Sequence, residues 1–347
     1  MRRWTTGLVA VAAVVLSAAP AWACGGLVAP NGTVNLLRTT TLAGYHDGVE
    51  HYVTSFEFAG GGGEFGSIVP LPGIPSDVVR GGDWTLQRLV REVAPPVAAA
   101  DSPAFAGAAL STKANVLLEK RIDALDITVL EGGAEEVGQW ALDHGFALPP
   151  DAPEMLEFYA SRSPIFMAAR FDASAAKRLG QRVGDGTPIH LSIPTQNPWV
   201  PLRILTLGRR ASETVQADVF LLTDAEPNLL PQAGPTMTLA ASEQASSGLI
   251  DDLRSDKGME WIPESGMWLS YLKIDTAARD LDHDLAIDPT GLATPSKVAA
   301  GLVLPEEIVE LTEGTPAWAW LLGLALVVTV LVVVDRLVGD PRGPAAP

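Results

Sequence analysis

Apolar and polar positions alternate from Val49 to Phe58, with Val49, His51, Val53, Ser55 and Glu57 on one face and Tyr52, Phe56 and Phe58 on the other. That period of two predicts a β-strand. Val34 to Leu42 is a second extended segment, and Tyr45-His46-Asp47-Gly48 is a turn. After the glycines Gly60 to Gly63, Glu64 to Val69 returns as a third strand and runs into Pro70-Leu71-Pro72-Gly73. The segment reads as a three-strand meander closed by a proline-rich corner.

Leu86, Leu89, Val90 and Val93 recur at helical spacing behind Asp83, which is suited to cap a helix ending before Pro95-Pro96. Val97 to Ala109 is small and apolar and reads as a linker. Strands are predicted at Val116 to Ile122 and Leu125 to Leu130. A helix then runs from Ala134 to His144, with Val137, Trp140 and Ala141 inward and Gly145 as its stop. Pro153 to Ser161 is a short helix opened by proline, and Ile165 to Phe171 is again a strand. From Pro188 onward the predicted strands are Ile189 to Ile193, Val200 to Leu207 and Val215 to Leu222. A helix from Glu243 to Arg254 and a strand from Met267 to Ile274 follow, before the acidic, turn-rich stretch from Asp275 to Glu313. No repeat of fixed period occurs. Strands and helices mix without βαβ regularity, so the expected class is α+β, largely antiparallel sheet with a few packed helices.

Two apolar stretches bracket this pattern. Leu8 to Ala21 follows Arg2 and Arg3 and precedes Ala21-Trp22-Ala23, the arrangement of a cleaved secretory signal over residues 1–23. Cleavage between Ala23 and Cys24 leaves Cys24 as the first mature residue; Ala21 and Trp22 fit the general signal peptidase better than the lipoprotein pattern, so an unmodified Cys24 is expected. Ala317 to Val334 contains no charged residue, and eighteen helical residues reach roughly 27 Å, enough to cross a bilayer. Glutamates 306, 307, 310 and 313 precede this span and Arg336 and Arg342 follow it, which puts the tail inside. The expected organisation is an α+β ectodomain over 24–225, a membrane-proximal extension over 226–315, one transmembrane helix over 316–334 and a cytoplasmic tail over 335–347.

The net charge is −17, and loss of Arg2 and Arg3 with the signal takes it to −19. Such a surface repels nucleic acid and anionic lipid headgroups. Cys24 is the one cysteine, so an intrachain disulfide and a cysteine-based metal centre are excluded.

Candidate chemistry is sparse. Asp280, Asp282, Asp284 and Asp288, with His283 among them, form the densest set of oxygen ligands and the one candidate calcium site. An EF-hand would need glycine at Leu285 and glutamate at Gly291, so the set reads either as a looser calcium site or as a solvated acidic linker. No other cofactor is expected. His46 and His51 are the one close histidine pair, but zinc needs three or four convergent ligands. Gly61, Gly63 and Gly66 match G-x-G-x-x-G, yet the loop leads into a strand and Glu64 repels phosphate. Trp140, Trp199, Trp261 and Trp268 either line a sugar-binding surface or belong to the core. The chain has no G-x-S-x-G, H-E-x-x-H or P-loop motif.

Several segments resemble a known family in their order: Cys24-Gly25-Gly26-Leu27-Val28; Glu64-Phe65 with Ile68-Val69-Pro70-Leu71-Pro72; Asp126-Ile127-Thr128-Val129-Leu130; Trp140 with Gly145-Phe146-Ala147-Leu148-Pro149; Phe166 to Phe171; and Pro201-Leu202-Arg203-Ile204. Over about Cys24 to Thr223 the chain resembles the bacterial domain of unknown function 2330. The resemblance implies an exported, membrane-anchored protein and brings no activity with it. It also implies that relatives carry further cysteines, which this chain lacks.

Together these features predict a single-pass protein of the bacterial cell envelope, its N-terminal part outside the cytoplasm, acting as a non-catalytic binding or scaffold module for an envelope protein or ligand. The alternatives are an extracytoplasmic hydrolase or peptidase whose site assembles in space, and a calcium-dependent adhesion module.

Overall fold

The computed structural model describes residues 27–28, 35–59, 65–93, 114–180 and 187–303. The signal with Ala23 and Cys24, the glycines 60–63, the linker 97–109, the apolar span 316–334 and the tail lie outside them. Among the described residues no helix is long and apolar enough to cross a membrane.

The first half of the chain forms β1 (Leu27–Val28), β2 (Asn35–His46), β3 (Val49–Ala59), β4 (Phe65–Pro70), β5 (Asp77–Arg80), α1 (Thr85–Val93), β6 (Asn115–Ile122), β7 (Leu125–Glu131), α2 (Ala134–Asp143), α3 (Ala152–Ala160), β8 (Ile165–Phe171) and α4 (Ala173–Leu179). The second half adds β9 (Ile189–Pro194), β10 (Trp199–Val200), β11 (Thr214–Thr223), β12 (Asn228–Leu230), β13 (Met237–Gln244), α5 (Ser247–Arg254), β14 (Trp268–Ala277) and β15 (Leu285–Asp288). A seven-stranded sheet runs β13-β14-β11-β2-β3-β9-β5, a five-stranded sheet β1-β4-β8-β7-β6, and a small sheet β10-β15-β12. Every described pairing is antiparallel except β2 with β11. The class is α+β with mostly antiparallel sheet.

Strand β3 explains how this architecture holds. The hairpin from β2 closes on two residues with positive φ, Asp47 (49°) and Gly48 (79°), the backbone a two-residue turn needs. On one face of the sheet Leu42, Val53, Phe220, Leu222 and Leu269 pack beneath Leu86 and Leu89 of α1 and Leu249, Ile250 and Leu253 of α5. On the other face Ala43, Tyr52, Leu191, Val219 and Leu272 join a larger core shared with the five-stranded sheet, α2 and α3. The middle of β3, from Glu50 to Thr54, is therefore buried on both faces, polar residues included.

Residues 226–303 are built into the same sheets: β14 pairs with β11 from Thr214↔Ala277 to Thr223↔Trp268, and β15 pairs with both β10 and β12.

The sequence pattern departs from the structure at several places. The expected three-strand meander does not form: β4 does not pair with β3 but lies between β1 and β8 in the five-stranded sheet. At three further places a hydrogen-bonding arrangement decides the outcome. The strand expected over Val200 to Leu207 stops at Val200 and becomes a 3-10 turn, Arg203–Thr206. There the N–H groups of Leu202 and Arg203 donate to Asp284 and that of Ile204 to the Tyr159 hydroxyl, so side chains take the place of a neighbouring strand. The helix expected from Glu243 begins only at Ser247, because β13 continues to Gln244 and the Ser246 hydroxyl caps α5 by accepting from Leu249 N–H at 3.1 Å. Asp83 does not cap α1; it pairs with Arg80. Asp256, 171 residues beyond Thr85, supplies the cap, its Oδ2 accepting from Trp84 N–H (3.1 Å), Thr85 N–H (2.8 Å) and Thr85 Oγ1 (2.7 Å). The approach is so close that a Cβ on Gly82 would sit 2.0 Å from that oxygen.

This remote cap joins α1 to the turn after α5. Asp256→Ala is expected to cost roughly 2–3 kcal/mol in urea unfolding of the full chain, through three stranded donors. Asp83→Ala, at a mostly exposed ion pair, should change stability by no more than about 0.5 kcal/mol. The reverse order would restore the local cap.

Candidate functional site

The four aspartates of the candidate calcium set go to different places. Asp280 is half-exposed near Arg279, and Asp282 is exposed, 3.1 Å from His283 Nδ1. Asp288, buried at the end of β15, accepts from Thr290 N–H and Oγ1 and from Ala293 N–H, shaping the turn that follows. Asp284 has no exposed surface. Among the described residues no group of three His, Cys, Asp or Glu is placed to hold a metal ion.

Asp284 is the centre of the most elaborate polar cluster. Its Oδ1 accepts from the Tyr159 hydroxyl (2.8 Å), Leu202 N–H (2.7 Å) and Arg203 N–H (2.9 Å), and its Oδ2 from Arg162 Nη2 (2.6 Å). The Arg162 side chain is only 2% exposed and spends its other donors on carbonyls: Nε on Phe158, Nη1 on Val298 and Ala299. Its guanidinium lies over the rings of Phe158 (4.1 Å), Tyr159 (4.8 Å) and Trp199 (5.1 Å), where the ring faces favour a cation. Burial, and then the negative charge of Asp284, hold the Tyr159 phenol well above its ordinary pKa, so it stays a donor. All four donors to this carboxylate come from the protein itself, and the group has no surface in contact with solvent. The cluster fixes α3, the 3-10 turn and β15 to one another.

A second cluster lies under α5. His51 of β3 and His190 of β9 meet at 3.0 Å, Nδ1 to Nε2, and Trp261 stacks flat on His51 at 4.0 Å between ring centroids. Gly44 is needed beneath this stack, since a Cβ there would fall 2.2 Å from the Trp261 ring. Burial, then the neighbouring His190 and His46, push His51 down to about 3, and burial pushes His190 down to about 4 against Asp77 and Glu260. Both rings are neutral, one donating to the other.

Glu50 precedes His51 and points to the opposite face. It is wholly buried, and neither carboxyl oxygen has a hydrogen-bond partner in the protein. Burial pushes its pKa up to about 8; the Trp199 backbone N–H opposes this but falls short of hydrogen-bond geometry.

The remaining sequence candidates scatter. His46 bonds Asp224 at 2.7 Å on the surface, two residues along β2 from Gly44, which pairs with His51, and takes no part in the His51–His190 contact. His144 stacks on Trp140 and bonds its carbonyl at the end of α2. Trp140 and Trp199 are core residues, Trp261 covers His51 and Trp268 donates to Ser242, so the four share no surface. Gly66 is a packing glycine in β4, where a Cβ would lie 1.6 Å from Phe146. Sequence reading missed Arg162, Glu50 and the His51–His190 contact. One signal was available: Leu281, Leu285 and Ile287 interrupt the acidic tract at strand-like spacing, which argues against a solvated linker.

The two β3 neighbours set opposite limits on stability. Glu50 is raised above its ordinary 4.5, so the stability present below pH 4.5 is lost as pH rises through about 8. His51 and His190 are lowered from 6.5, so their contribution is lost as pH falls from 6.5 toward 4 and 3. Below 6.5 the two histidines outweigh the single glutamate, so the urea midpoint of the full chain should peak close to pH 6.5. Glu50→Gln should flatten the alkaline limb, recovering on the order of 4 kcal/mol by pH 8. An unchanged slope in that variant would remove Glu50 from the account.

No curated protein matches this sequence. Two solved structures of baculovirus P35 share a slight likeness. P35 itself has 9% identity over 74% of this chain and 97% of that one, with a TM-score of 0.41. A mutated P35 after caspase cleavage has 8% identity over 73% and 99%, with a TM-score of 0.37. Likeness at that level carries no argument about fold or function. The family comparison is of another kind: the profile described as "Uncharacterized protein conserved in bacteria (DUF2330)" matches residues 18–225, more than half of the 347. The chain belongs to that bacterial family.

Proposed function

We propose that the protein is a single-pass, membrane-anchored module of the bacterial cell envelope whose β-rich part lies outside the cytoplasm and serves as a rigid binding or scaffold element. The observation that carries this reading is the way the buried polar groups are used. Asp284 and Asp256 spend their carboxylates on backbone and side-chain donors that join distant segments, and Asp288 spends its own on the turn that follows it. Such groups hold a shape and present no reactive atom. The apolar runs Leu8 to Ala21 and Ala317 to Val334 support export and anchoring, and the net charge of −17 suits a surface that avoids nucleic acid and anionic headgroups. The occupant of such a module would be an envelope protein or ligand tolerant of an acidic face.

Protease added to intact spheroplasts should digest the exported part while cytoplasmic markers survive, and a chain stopped after residue 315 should appear in the medium. Full protection of the chain, or retention of the shortened form in the cell, would contradict the reading.

A further inference from the structure

Thr39 and Thr41 of β2 and Tyr52 of β3 face Ser67 of β4 across a cavity between the seven-stranded and five-stranded sheets, walled otherwise by aliphatic residues such as Val200 and Val219. The Thr41 hydroxyl is engaged, 3.2 Å from that of Thr54. Thr39 and Ser67 are different: they are 5% and 4% exposed, and neither Thr39 Oγ1 nor Ser67 Oγ has a hydrogen-bond partner in the protein. A hydroxyl taken out of water without a partner costs about 1–3 kcal/mol. Two such groups opening on one cavity are therefore a costly arrangement unless something in the cavity bonds them. The space open to the centre of a water-sized sphere is about 20 Å³, above the roughly 10–15 Å³ that one water needs.

We infer that this cavity is a binding site for a small uncharged hydrogen-bonding molecule, water, held by the Thr39 and Ser67 hydroxyls where the two sheets meet. A hydroxyl both donates and accepts, so the two side chains satisfy a water from opposite sheets without any charged group. The aliphatic wall excludes ions, and the small volume excludes larger ligands. The contact between the sheets is then hydrated at this point, and the water is part of the fold in the same sense as the two side chains.

The test is a mutant cycle on the full chain, Thr39→Val and Ser67→Ala, read by urea midpoint, together with a high-resolution crystal structure. Each single change strands a water that has lost one partner. Each should therefore lower the midpoint, while the double variant loses less than the two together. Density should show a molecule within hydrogen-bond distance of both hydroxyls. If the cavity is dry, each change removes an unpaired hydroxyl and raises the midpoint independently. That sign, or a direct Thr39–Ser67 hydrogen bond in the crystal, would overturn the inference.

Discussion

A carboxylate with no surface in contact with water has to be met by donors that cannot move away, and Asp284 meets this demand with groups from two separate stretches of chain. Tyr159 and Arg162 come from α3 and its end, and Leu202 and Arg203 give their N–H groups from the 3-10 turn. Arg162 in turn holds the carbonyls of Val298 and Ala299, close to the last described residues. Charges buried together in this way contribute little net stability compared with an apolar filling of the same volume. What they contribute is a single permitted arrangement. The 3-10 turn cannot become a strand, α3 cannot slide, and β15 cannot leave the small sheet without exposing an uncompensated charge to the interior.

The other structural devices follow the same logic at smaller scale. Asp256 caps α1 from beyond α5, and Asp172 caps α4 through Ala175 N–H while pairing with Arg121 of β6. Gly44, Gly66 and Gly82 leave room for Trp261, Phe146 and Asp256 at distances no side chain would permit. Polar atoms that lack such partners stand out: the Glu50 carboxylate and His190 Nδ1 on opposite faces near β3, and the Thr39 and Ser67 hydroxyls between the sheets. Glu50 and His190 are where pH acts on stability, and the hydroxyls are where the interior is hydrated.

Much of the local structure was legible because it depends on local rules. The period of two gave β3, the Asp47-Gly48 pair gave the hairpin, and the spacing of Val137, Trp140 and Ala141 gave α2. Asp83 was the sensible cap for α1 by proximity, and proximity was the wrong criterion, because Asp256 arrives from 171 residues away. The aspartates after residue 279 read as one set along the chain, but β15 and the residue just before it bury Asp288 and Asp284, while Asp280 and Asp282 stay at the surface. The His51–His190 contact spans 139 positions and is created by the pairing of β3 with β9, for which neither strand carries a sequence mark. Membership of the bacterial family was visible in ordered short segments, each weak alone, because their order along the chain is itself a constraint.

The direct test of the buried clamp is a double-mutant cycle between Arg162→Met and Asp284→Asn in the full chain, followed by urea unfolding. Each single variant leaves one charge or its donors uncompensated and should cost about 3–5 kcal/mol, while the double variant, with neither charge, should cost markedly less than the sum. Additive losses, or single losses below about 1 kcal/mol, would show that the fold does not depend on this pair.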